Sequence, residues 1–164
     1  MRYSLILFIF LFSSCSYKHN SLYVGSKQVT EQSVANTKKT HILENGKIRI
    51  FATVTYLDSL KNQKIVDENK EQFVIGLHFV NFSTQETKID LNRENIHFSV
   101  EDSTHLLSVK KLKLNSKILK IIPASNPWSQ YFLVETNKID KNSISFSFQV
   151  NSYSKKPFTF EKDF

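Results

Sequence analysis

A single cysteine among 164 residues rules out an internal disulfide, a CxxC redox pair and any multi-cysteine zinc site. Glycine is nearly as scarce: Gly25, Gly46 and Gly76 stand twenty or more residues apart. Phosphate-cradling loops need clustered glycines so that backbone N–H groups can approach the anion, so Walker and dinucleotide loops are excluded. No heptad and no 20–50-residue repeat is legible, which removes coiled coils and helical solenoids. No G-x-S-x-G elbow or HExxH stretch occurs, and no two histidines stand two or four residues apart. His78, His97 and His105 are therefore read without a metal, and no cofactor is expected. His97, between Ile96 and Phe98, is expected to face solvent.

What remains is a charge excess and ample core material. Lysine and arginine total 22 against 15 acids, a net charge of +7 that suits an anionic neighbour and also keeps a protein soluble. Seventeen aromatic residues follow position 15, enough for one packed domain without metal or disulfide staples.

The N-terminus reads as a targeting segment. Met1-Arg2-Tyr3-Ser4 carries positive charge, residues 5–12 are apolar without a break, and Ser13-Ser14-Cys15-Ser16 follows. Eight apolar residues fall far short of the about 20 that span a bilayer, but they match the apolar core of a secretory signal. With the only cysteine directly after small residues, this arrangement resembles the lipobox of bacterial lipoproteins, with Phe12 where that family usually has leucine. The resemblance implies that residues 1–14 are removed and that Cys15 becomes an acylated N-terminus, the only covalent group expected. It also implies a membrane-anchored protein of the cell envelope. Ser16 after the cysteine accompanies an outer-membrane destination in that family; no residue encodes whether the domain faces inward or outward.

Residues 15–45 are mostly polar and read as a tether, with the domain proper over 46–164. From Lys47 the texture is that of strands, rich in β-branched and aromatic residues and broken by Asn-, Asp- and Ser-rich turns. Strands are expected over 48–57, 72–82, 86–91, 95–101, 106–114, 117–122, 128–135, 143–150 and 157–161, with Asn45-Gly46 as a turn. Phe73, Ile75 and Leu77 share one face of their strand while Val74, Gly76 and His78 share the other, the pattern of a central strand covered on both sides. The fold expected is a single all-β antiparallel sandwich of seven to nine strands. Residues 73–83 ending in Asn-x-Ser, 96–102 closing on an acidic pair, and the returning strands 128–134 and 144–150 resemble small immunoglobulin-like envelope domains. That resemblance implies a non-enzymatic binding or accessory module for a protein partner and carries over no catalytic residue.

Two surface candidates remain. Residues 103–134 form a 32-residue window without Asp or Glu, and it holds Lys110, Lys111, Lys113, Lys117 and Lys120. The period of two in Lys111-Leu112-Lys113-Leu114 sets lysines and leucines on opposite faces. Such a face would bind anionic lipid or an envelope polymer; its bland reading is a solvated strand that blocks edge-to-edge pairing. Nucleic acid is not expected, because the lysines neighbour Leu and Ile rather than stacking aromatics. Asn126-Pro127-Trp128 brings the lone tryptophan onto a proline-containing loop. An exposed Trp there is a binding anchor, while burial at the end of the sandwich is the commoner fate of the residue.

Overall fold

The computed structural model describes residues 24–60, 64, 66–80, 96–101, 106–123, 125–151 and 153–162. A helix, α1 (Val24–Ala35), precedes eight strands: β1 (Thr37–Glu44), β2 (Lys47–Tyr56), β3 (Lys70–Phe79), β4 (Ile96–Val100), β5 (Leu106–Leu112), β6 (Gln130–Asn137), β7 (Ser143–Val150) and β8 (Lys156–Glu161). They form a five-stranded sheet in the order β1-β2-β3-β6-β5 and a three-stranded sheet in the order β4-β7-β8. Every pairing is antiparallel. The two sheets face each other across one core, an all-β antiparallel sandwich.

Local sequence explains the elements. Asn45 and Gly46 both take positive φ, 51° and 74°, and Glu44 pairs with Lys47, so β1 and β2 are joined by a two-residue turn. Positive φ at both central residues is what an Asn-Gly hairpin turn requires. β3 is the middle strand of its sheet and is buried from Glu71 to Leu77, as its two-sided apolar pattern implies.

Between the sheets lies an aromatic core. Phe73 of β3 stacks on Phe146 of β7 at 4.6 Å between ring centroids, and Tyr56 stacks on Phe73 at 4.9 Å. Phe98 of β4 packs on Phe146 at 6.3 Å. The Phe73–Phe146 pair thus cross-braces β3 and β7, one strand from each sheet. Ile50, Val54, Ile75, Val134 and Phe148 complete the interior.

A second apolar cluster covers the other face of the large sheet. Leu57, Leu60, Val74, Ile118, Leu119, Ile122 and Tyr131 pack together there, with Val29 of α1 against them. The helix ends in side-chain caps: Asn36 Nδ2 donates to the Gln32 carbonyl and to Ser59 Oγ, and Thr37 Oγ1 donates to the Ser33 carbonyl. These bonds satisfy carbonyls that a helix C-terminus leaves without partners.

Three expectations are corrected here. Residues 24–44, read as tether, are α1 and an edge strand paired along its length with β2, so the folded part begins by Val24 rather than at 46. Residues 117–122, read as a strand, form a 3-10 turn over Lys117–Lys120. The spacing of Ile118, Leu119 and Ile122 suits one side of a helical turn and seats all three in the second cluster. β6 begins at Gln130, two residues after Trp128. The strand expected at 86–91 lies outside the described residues, as do Cys15 and His105. His97 is exposed on β4.

Candidate functional site

Five large apolar residues among those described are exposed: Val34, Leu43, Phe51, Leu114 and Trp128. Three of them share one strip at the end of the sandwich where β5 runs into β6. Trp128 leads at 76% exposure, with Leu114 at 55% and Phe51 at 45%. The expectation that the lone Trp seals the sandwich end is thus overturned. The interior at that end is already filled by Ile50, Leu77 and Phe132, which leaves the indole outside.

The loop that presents Trp128 is fixed by specific bonds. Asn126 Oδ1 accepts the backbone N–H groups of Trp128 at 3.1 Å and Ser129 at 2.9 Å, a turn closed by an asparagine side chain. The Asn126 backbone N–H donates to the Tyr131 hydroxyl at 2.8 Å. On the far side, His78 Nδ1 lies 3.3 Å from the Trp128 carbonyl, and since a carbonyl only accepts, His78 is the donor. The His78 ring, half-buried, stacks on Phe51 with centroids 6.4 Å apart, which links Phe51 through His78 to the Trp128 backbone.

Gly76 makes this arrangement possible. A Cβ there would come within 2.8 Å of the Tyr131 ring and 2.6 Å of Thr53 Oγ1. Only glycine lets the Tyr131 ring lie across β3, with its hydroxyl under Asn126. Sequence reading placed Gly76 in a central strand without drawing this consequence, although a glycine inside a strand often marks a close approach. Beside Trp128 a hollow of about 230 Å³ is lined by Leu114, Leu119, Ser125, Asn126 and Pro127. The two sequence candidates, the lysine-rich window and the Trp loop, therefore meet at one end of the molecule.

The lysines do not share one strand face. Val109 turns toward the main core and Leu112 toward the second cluster, so Lys110 and Lys111 point to opposite sides of β5. Lys111 Nζ donates to Gln130 Oε1 at 2.6 Å. β5 stops at Leu112, which ends the alternation expected through Leu114 and puts Lys113 in the following turn. Lys117 and Lys120 ride the 3-10 turn. All five are exposed, and Lys113 and Lys120 are chain neighbours of Leu114 and Leu119 in the hollow wall.

Most described acids, among them Asp58, Glu71, Glu135, Asp140 and Glu161, belong to the opposite end of the strands. There a buried polar cluster escaped the sequence reading. Glu71 Oε1 accepts from Lys162 Nζ at 2.7 Å and from the Ile139 N–H at 2.9 Å. Its Oε2 accepts from the Tyr56 hydroxyl and lies 3.8 Å from Lys138 Nζ. Lys138 also pairs with Asp58 at 3.0 Å. Burial, and then the neighbouring Glu71 carboxylate, hold the Tyr56 phenol far above its usual pKa, so it stays a donor. The alternation of Glu71 with Phe73, Ile75 and Leu77 was the available signal: an acid at an inward-facing position needs a buried partner.

On the outer face of the small sheet, a shelf of about 470 Å³ lies over Ser99, Ser145 and Ser147, with Glu101 and Lys155 among its lining. Ser99 and Ser147 bond each other there at 2.6 Å. Among the described residues, no three His, Cys, Asp or Glu side chains come together as metal ligands, and no helix is long and apolar enough to cross a membrane. No family model, no curated protein and no solved structure matches this chain.

Proposed function

We propose that this chain is a lipid-anchored, non-enzymatic binding module of a bacterial cell envelope, carried on an immunoglobulin-like sandwich, with the Trp128 end as its contact surface. Acyl chains on Cys15 hold it to the membrane, the outer membrane being the destination that Ser16 favours. The observation that carries the reading is Trp128, 76% exposed on a backbone pinned from both sides by Asn126 and His78. A large aromatic on a pinned backbone has only its two side-chain torsions left to order when a partner covers it, and tryptophan is enriched among binding hot spots.

The corrected domain boundary bears on where that partner lies. A tether over 15–45 would reach roughly 100 Å when extended, whereas the nine residue steps from Cys15 to Val24 cannot exceed about 32 Å. That span is comparable to the width of the folded domain itself. Such an anchor keeps the domain at the membrane surface and favours a partner found there, whether an envelope protein or the membrane itself.

The test is photo-crosslinking in cells from position 128, with exposed Thr159 on the other sheet as control. Adducts from a photoreactive aromatic residue at 128 and none from 159 are expected, and Trp128→Ala should weaken capture from a probe at exposed position 114 by about 30-fold or more, the scale of a hot-spot residue. Equal adduct formation from both positions, or adducts from 159 alone, would overturn the assignment of the surface.

A further inference from the structure

We infer that the occupant of the Trp128 end is an anionic phospholipid surface, into whose headgroup layer Trp128 and Leu114 insert while Lys113, Lys117 and Lys120 meet lipid phosphates. This rests on the lipid-anchored reading and gives its contact surface a chemical partner.

Three independent features converge on it. The first is the pairing of side-chain types. An indole is apolar in body with one N–H donor, which suits the boundary between acyl chains and headgroups, and lysines there keep their ammonium groups in the polar layer. Leu114 and Trp128 are both exposed at the same end, Leu114 in the wall of the hollow and Trp128 next in the chain to Pro127, which also lines it. The second is charge complementarity. Residues 103–134 hold no acid, and Glu44, the acid that closes β1 at this end of the strands, is engaged by Arg49 at 2.5 Å and by the Tyr153 hydroxyl at 3.1 Å. The third is reach: a span of at most about 32 Å between Cys15 and Val24 holds the domain against the bilayer that carries its acyl chains. A flexible lipid anchor alone would leave the domain free to tumble. A second, protein-borne contact at one end of the strands fixes which end of the domain faces the lipid.

Trp128 is the sole tryptophan of the chain and so reports on itself. The full-length, natively processed protein is placed on phosphatidylcholine vesicles with and without phosphatidylglycerol, and its emission and quenching by brominated acyl chains are read. Docking predicts a blue-shifted, bromine-quenched tryptophan on the anionic vesicles and a weaker effect on the neutral ones. Each lysine at an anionic surface contributes roughly fivefold, so K113Q/K117Q/K120Q should lower the docked-to-free ratio about a hundredfold while the chain stays vesicle-bound. A chain that remains on anionic vesicles with a water-like, unquenched Trp128 would overturn the inference. So would a blue shift that the triple variant retains in full. If position 128 instead captures one protein in cells while its emission on vesicles is water-like, the surface belongs to that protein. The Cys15→Ser chain separates this inference from the anchor: docking predicts the same blue shift on anionic vesicles without acylation, and its absence refutes docking whatever holds the chain to the membrane.

Discussion

Gly76→Ala tests whether the fold and the Trp128 loop are coupled as the structure implies. The added methyl would sit 2.6 Å from Thr53 Oγ1 and 2.8 Å from the Tyr131 ring. Thr53 is partly exposed and can turn away, but Tyr131 is buried and tied by its hydroxyl to the Asn126 N–H. Overfilling such a site costs about 1–3 kcal/mol, and the conformational advantage of alanine over glycine in a strand returns about 0.5–1 kcal/mol. The net expectation is a loss of up to about 2.5 kcal/mol, a fall in Tm of up to roughly 10 °C for a domain of this size. Displacing the ring also removes the acceptor for Asn126, so the loop should loosen and the fluorescence anisotropy of Trp128 should fall. Thr53→Ala added to Gly76→Ala relieves the closest contact and leaves the ring clash, so it should restore little of either signal. Tyr131→Phe keeps the ring and deletes the hydroxyl, and should loosen Trp128 at a cost of only about 1 kcal/mol. A Gly76→Ala protein at least as stable as the parent, with unchanged anisotropy, would refute the coupling.

Other outcomes follow from the two buried clusters. Phe146→Ala removes the partner of Phe73 and Phe98 and should cost about 3–5 kcal/mol in urea denaturation. A cost below about 1 kcal/mol would mean that the phenylalanine cross-brace is not what joins the sheets. Lys162→Met leaves the fully buried Glu71 without its closest cation and should cost about 3 kcal/mol, and adding Glu71→Gln should recover much of that loss; a double variant no better than the single would contradict the pairing. Because the Tyr56 phenol is held above its unfolded value of about 10, its stabilisation is complete below about pH 10 and is lost as pH rises beyond it. The slope is up to about 1.4 kcal/mol per pH unit. Tyr56→Phe should flatten that alkaline slope, and an unchanged slope would place the titration elsewhere.

Legibility in the sequence followed burial. β3 and β7 were readable because their side chains alternate against a filled core: Ile144, Phe146, Phe148 and Val150 face inward with Ser145 and Gln149 between them, and β7 has the expected bounds. β1 was not, because it is an edge strand whose single buried residue is Ile42, so Thr37-Lys38-Lys39-Thr40 carries no period. α1 was illegible for a related reason. Val24, Val29 and Val34 fall five apart and trace no helical stripe, and the helix owes its place to the second cluster and to caps from Asn36 and Thr37. At the contact surface the residue types were visible but their display was not. Burial is the usual fate of a tryptophan, and its display here depends in part on His78, a partner fifty residues away that proximity in sequence cannot reveal. Gly76 and Glu71 were the two readable exceptions, each a residue out of keeping with the strand around it.

The proposal that the domain is held at a membrane by its first cysteine is tested most directly by the mass of the natively expressed protein's N-terminal peptide. The account predicts a chain that begins at Cys15 and carries acyl groups. An unmodified N-terminus at any other residue, or an unacylated Cys15, would contradict it and leave the Trp128 surface without the anchor that places it.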